Sequence, residues 1–207
     1  MLKYRLAAAS ALAACTAHAH AQSLDLPSFD SVQVASGQKV YFKTGNRQSV
    51  DVEMVRGDLD DVVVKVEDGV LVVQRKSSWT MGKGALAKVT VVAPELDRVK
   101  ASSGGYFKGV ELDVGDLSAG ASSGAAISLA GRCQSADFDA SSGASLQAKG
   151  LECVTAKVDA SSGATIKVFA SERVNADGSS GASIAIYGGA TDVDADRSSG
   201  ASVMVKG

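Results

Sequence analysis

From residue 101 onward, apolar side chains fall at every second position in short runs, and the runs recur at a nearly fixed interval. Ser-Ser-Gly begins at Ser102, Ser122, Ser141, Ser161, Ser179 and Ser198, in steps of 20, 19, 20, 18 and 19 residues. Three residues after each first serine stand Gly105, Ala125, Ala144, Ala164, Ala182 and Ala201; two further on come Phe107, Ile127, Leu146, Ile166, Ile184 and Val203. Strict alternation of this kind predicts a strand with one buried face. A second strand precedes each serine pair, with inward columns at Leu117, Ala136, Ala156, Val174 and Val193 and at Ala119, Phe138, Val158, Ala176 and Ala195.

A repeat of this length has no room for a returning helix. The economical arrangement is a coil in which each strand lies parallel to its equivalent in the next repeat, about 4.8 Å away. The fold expected is therefore all-β: a parallel β-helix over residues 101–207, of about six coils with a repeat of about 19 residues. The Gly of each Ser-Ser-Gly marks a corner at positive φ, and Gly131, Gly150, Gly188 and Gly207 suggest a second corner. The paired serines suit hydroxyl ladders along the coil or bonds to corner amides.

Residues 22–100 lack this period but alternate in the same sense, at Val32 and Val34, Val40 and Phe42, Val50, Val52 and Met54, and Val89, Val91 and Val92. Glu67-Asp68-Gly69 between two valine-rich runs is a hairpin signal. This region is expected to be an antiparallel sheet or small sandwich that leads into the coil and covers its first open edge.

The first 21 residues read as a secretory signal peptide: Lys3 and Arg5, an apolar run from Leu6 to Ala14, then Ala19-His20-Ala21. The apolar run is too short to cross a bilayer. Leu12-Ala13-Ala14-Cys15 also fits a lipobox, which would acylate Cys15 as the first mature residue. Either route exports the chain, to the periplasm, the cell envelope as an outer-membrane lipoprotein, or the medium. Removing this segment leaves 19 basic against 23 acidic side chains, which gives no electrostatic case for a nucleic-acid partner. It also removes His18 and His20, the only histidines, and with them Ser-His-Asp, Cys-His and histidine-zinc chemistry. With 22 Gly, 2 Pro and 5% aromatic residues, the composition favours small side chains stacked in a regular β architecture.

Cys133 and Cys153 each lie eight residues before a first serine, so coil stacking puts them side by side within disulfide reach. Two residues before the serines stand Lys100, Gly120, Asp139, Asp159, Asp177 and Asp196, which stacks four carboxylates on one outward ridge. Like charges at strand spacing repel and call for compensation. Hydrogen bonds from corner amides or serines are one source; Ca²⁺ held by Asp139, Asp159, Asp177 and Asp196 is the other, although the glycine-rich nonapeptide of calcium-binding β-rolls is absent. No other cofactor is implied. Trp79, in the basic stretch between Lys76 and Leu86, either folds onto its own sheet or contacts a partner. The last coil, with Val203 and Val205, lacks a charged or proline-bearing cap and is expected to be covered by self-association or by another envelope protein.

Phe29-Asp30-Ser31-Val32-Gln33-Val34, Asp68-Gly69-Val70-Leu71-Val72-Val73, Val89-Thr90-Val91-Val92-Ala93-Pro94 with Leu96, and the serial Ser-Gly-Ala motif together resemble the bacterial head GIN domain family of auto-transporter adhesins. The resemblance spans essentially the mature chain. It implies a secreted or envelope-attached all-β protein with a β-helical portion, and little about chemistry. Two functions are carried forward. One is a non-enzymatic structural or adhesin-like module that contacts an envelope macromolecule, glycan or protein. The other is a polysaccharide-active lyase or hydrolase using carboxylates, since parallel β-helices often host these.

Overall fold

The computed structural model describes residues 21–76 and 84–206. Fifteen strands make one continuous sheet system: β1 Gln22–Leu24, β2 Ser31–Val34, β3 Lys39–Thr44, β4 Ser49–Arg56, β5 Val62–Glu67, β6 Val70–Arg75, β7 Leu86–Ala93, β8 Arg98–Ala101, β9 Tyr106–Ala121, β10 Ala126–Ala140, β11 Ser145–Ala160, β12 Thr165–Gly178, β13 Ser183–Tyr187, β14 Asp192–Arg197 and β15 Ser202–Val205. The C-terminal half is the expected parallel solenoid. Ile127 pairs with Leu146, Leu146 with Ile166, Ile166 with Ile184 and Ile184 with Val203, so residues one repeat apart form a single inward file. Six Ser-Ser-Gly corners delimit about five turns, one fewer than counting corners as coils suggests.

Each long strand supplies two walls. In β10 the first runs from Ala126 to Leu129 and the second from Ser135 to Ala140, with a register shift between Leu129 and Gly131 where the chain bends. Gly131 sits at φ 139, and a Cβ there would collide with the Leu112 backbone, so only glycine fits. Inward side chains of both walls, among them Ile127, Leu129, Phe138, Leu146, Val158 and Ile166, belong to one buried cluster. Full burial of each large aliphatic or aromatic side chain contributes roughly 1.5–3 kcal/mol.

At each corner both the second serine and the glycine are left-handed: Ser123 at φ 51 with Gly124 at φ 70, Ser142 at φ 53 with Gly143 at φ 70. Two consecutive left-handed residues turn the chain tightly, which suits a glycine at the second position and a small polar residue at the first. The corner amides do not depend on serine hydroxyls. Gly104 N–H donates to the Ser123 carbonyl at 3.1 Å, Gly124 to Ser142 at 3.1 Å and Gly143 to Ser162 at 3.0 Å, so backbone bonds run from coil to coil along the corner. Of the expected second corners, Gly131 and Gly188 have positive φ whereas Gly150 does not, and Gly207 lies outside the described residues.

The N-terminal region contains the antiparallel pairs expected of it, β1 with β4, β4 with β7 and β5 with β6. It also enters the solenoid. β2 pairs in parallel with both β6 and β8, and β3 with both β7 and β9. The coil formed by β2 and β3 thus lies between the coil of β6 and β7 and the coil of β8 and β9. Chain order and coil order differ here, which is why no period shows. Ala35-Ser36-Gly37-Gln38 makes a seventh corner of the same kind, with Ser36 at φ 58, Gly37 at φ 77 and the Gly37 N–H donating to the Ser103 carbonyl at 3.1 Å.

Candidate functional site

The register that builds the core also fixes what the solenoid presents outside, because a residue's face alternates along each strand. On the second wall, Asp139 pairs with Asp159, Asp159 with Asp177, and Asp177 with Asp196, as the sequence spacing predicts. Beside this column run Asp137, Lys157, Asn175 and Asp194, and beyond it Ser135, Thr155, Arg173 and Asp192. A shallow trough follows the acidic column and is lined also by Ser161, Ser179, Arg197 and Ser198.

Within the wall, one of the four carboxylates has a cation partner among the described residues. Lys157 Nζ lies 2.9 Å from Asp159 Oδ2, and Asp159 raises the lysine's pKa first by that hydrogen bond and then by its charge, with Asp137 adding to it. Partial burial raises the Asp139 pKa, the neighbouring Asp159 and Asp137 raise it further, and Lys157 opposes them. Arg173 pairs with Asp192 at 2.7 Å, and Ser135 Oγ donates to Asp116. Among the described residues no group of three or more His, Cys, Asp or Glu side chains gathers as a metal site. In-register carboxylates project side by side from a wall, one per coil, rather than converging on a point.

Cys133 and Cys153 are register partners with Cα atoms 4.5 Å apart and form a disulfide, buried at the bend between the walls. It closes the same vertical step that backbone bonds close at the Ser-Ser-Gly corner. Trp79 and Cys15 lie outside the described residues. The terminal coil carries Met204 and Val205 exposed at 43% and 57%, the least covered large apolar side chains of the solenoid's far end.

The first wall differs in chemistry. Its outward columns hold Lys88, Lys39 and Tyr106 in one register line and Thr90, Tyr41, Lys108, Ser128, Gln147 and Lys167 in the next. Tyr41 and Tyr106 have ring centroids 5.9 Å apart, and Lys88 Nζ lies 5.7 Å from the Tyr41 ring. The sequence shows each of these residues, but only the pairing of β3 with β9, Lys39 with Tyr106 at a separation of 67 positions, assembles them.

A stack of short parallel strands with buried aliphatic files, a hydrogen-bonded corner line and chemically distinct outer walls defines a parallel β-solenoid. The chain belongs to the family described as "Putative auto-transporter adhesin, head GIN domain", whose model matches residues 28–190. No curated protein matches it in sequence. Its fold is similar to that of a putative adhesin from Bacteroides fragilis, at 14% identity and TM-score 0.69, over 90% of this chain and 96% of that one. It is also similar to a putative lipid binding protein from Parabacteroides distasonis, at 15% identity and TM-score 0.56, over 91% and 96% of the two chains. A putative adhesin from Parabacteroides merdae follows at 13% identity and TM-score 0.50, with the same coverage of 91% and 96%. At these identities the likeness is one of fold. Among the described residues no helix is long and apolar enough to cross a membrane.

Proposed function

We propose that the chain is an exported, non-enzymatic module of the cell envelope that adheres to another macromolecule through the outer walls of its solenoid. The observation that carries this reading is the locked register: the same outward position recurs on every coil, as in the Gln147–Lys167 and Asp159–Asp177 pairs, giving a rigid surface of repeating chemistry. Such a surface suits an extended or repetitive partner, since each coil offers the next contact without a new ordering cost. Membership of a family described as adhesins supports the same role, and the signal-peptide pattern of residues 1–21 supports export. Self-association through β14 and β15 belongs to this reading, supported by the exposure of Met204 and Val205.

The test is retention of the purified mature chain on isolated bacterial envelopes, with released reducing sugar and unsaturated products followed in the same samples. Saturable retention without product release is expected. Product release that disappears on replacing one of Asp139, Asp159, Asp177 or Asp196, with the fold intact, would establish the carboxylate enzyme instead.

A further inference from the structure

From β3 to β15, the two outward columns of the first wall contain no carboxylate: their charged side chains are Lys39, Lys108 and Lys167. Lys88 extends the line onto β7, and Lys43 stands one outward step further along β3. The wall's acids, Asp51 and Glu53, lie beyond β7 on β4, and Glu53 is taken up by Lys88 at 3.2 Å. Glu111 follows at the bend that ends the wall. Among the described residues Lys39, Lys43, Lys108 and Lys167 make no ion pair. The second wall carries the acidic column instead, so charge is divided between two faces of one thin body.

Unpaired like charges gathered on one face repel in the free protein, and a polyanion laid across them relieves that repulsion. Further features narrow the choice of polyanion. Tyr41 and Tyr106 lie half-buried among the lysines, their rings tilted by 57° to each other, and each keeps part of its surface open to solvent. Burial and the nearby Tyr41 raise the Tyr106 pKa, keeping its hydroxyl protonated as a donor. Ser128, Gln147 and Thr165 supply neutral hydrogen-bonding groups on successive coils, at a spacing of about 4.8 Å. A bilayer would call for protruding apolar anchors, and the only exposed large one in these columns among the described residues is Met204, at the far end.

We propose that this wall binds an acidic linear polysaccharide, its lysines taking the carboxylates and its tyrosines the sugar rings. The inference rests on the adhesive reading above and names the partner's chemistry and the wall that meets it.

Titration of the full mature chain with polygalacturonic acid fragments tests it. Poly-glutamate of matched charge serves as a ringless polyanion, and phosphatidylglycerol vesicles as an anionic bilayer. Saturable binding to polygalacturonate is expected, at least tenfold tighter than to poly-glutamate or vesicles. The triple substitution Lys39→Gln, Lys43→Gln, Lys108→Gln should weaken it at least tenfold. Tyr41→Ala should weaken it several-fold with charge unchanged, and Asp137→Asn with Asp194→Asn on the second wall should leave it intact. Should the triple variant not fold, a steep fall in wild-type affinity with added NaCl reads out the same contacts. Absent binding to polygalacturonate, equal or tighter binding to poly-glutamate or vesicles, or salt-insensitive binding would overturn the proposal. Envelope retention that survives the triple substitution overturns this inference alone, whereas absent envelope retention overturns the adhesive reading.

Discussion

Gln38 Oε1 accepts the Ala87 backbone N–H at 2.7 Å, joining two coils whose residues lie 49 positions apart. The same amide donates from Nε2 to the Ala85 carbonyl at 2.9 Å. Gln38 occupies the corner position that Gly105, Ala125 and Ala144 take in later coils, yet it is fully buried and polar. Its side-chain amide thus ties this corner to the start of β7 in the coil beneath. Gln38→Leu should orphan one buried donor and one acceptor, at about 1–3 kcal/mol per group. Urea unfolding at constant slope checks this; a loss below about 0.5 kcal/mol would mean the two groups find other partners.

The disulfide closes a sequence separation of 20 residues. Loop-closure arguments give a stabilisation of about 3 kcal/mol for a loop of this size. The double variant Cys133→Ala, Cys153→Ala should lose roughly that amount in chemical denaturation while keeping its circular dichroism. Reductant should reproduce the loss in the wild type and leave the variant unchanged.

A Cβ added at Gly143 meets open space, although φ there is 70°. Gly143→Ala therefore isolates backbone strain and should cost about 1–2 kcal/mol. Ser142→Gly, at the neighbouring left-handed position, should be neutral or stabilising. A destabilising Ser142→Gly would give the hydroxyl a structural role that the backbone bonding does not require.

Asp139 holds its proton to higher pH in the folded state, through burial and then the charges of Asp159 and Asp137. The folded state then binds more protons than the unfolded chain between the two pKa values, so this group's contribution falls as pH rises through that window. Asp139→Asn should raise the melting temperature at pH 7 and leave it unchanged at pH 3, where both states are protonated. Lys157 has its pKa raised by Asp159, so its contribution is present at neutral pH and is lost only as alkaline pH passes that raised value. Lys157→Met should destabilise at pH 7, and the difference from wild type should shrink as alkaline pH passes the lysine's raised value.

The C-terminal half is legible because one coil equals one repeat: equivalent residues carry the same role, and Ala119, Phe138, Val158 and Ala176 declare an inward file by spacing alone. The disulfide and the acidic column follow from the same arithmetic. The N-terminal coils are less legible because the chain lays down β2 and β3, goes beneath them with β6 and β7, and then returns above with β8. Neighbours such as Lys39 and Lys88 are then separated by hairpins of unrelated length. One signal was available: Ser36-Gly37 stands between Val34 and Val40 at the offsets that Ser103-Gly104 keeps from Ala101 and Phe107. The lysine and tyrosine wall has no sequence signature, since it exists only once those coils are interleaved.

Spin labels at Gln147→Cys and Lys167→Cys test the in-register parallel stack most directly, because these outward residues are strand partners on adjacent coils. Continuous-wave electron paramagnetic resonance should show strong dipolar broadening for this pair. The pair Gln147→Cys and Asn175→Cys, on different walls with the core between them, should be far less broadened. A Gln147–Lys167 spectrum equal to the sum of its single labels, or broadened less than the pair across the core, would contradict the solenoid and everything placed on its walls.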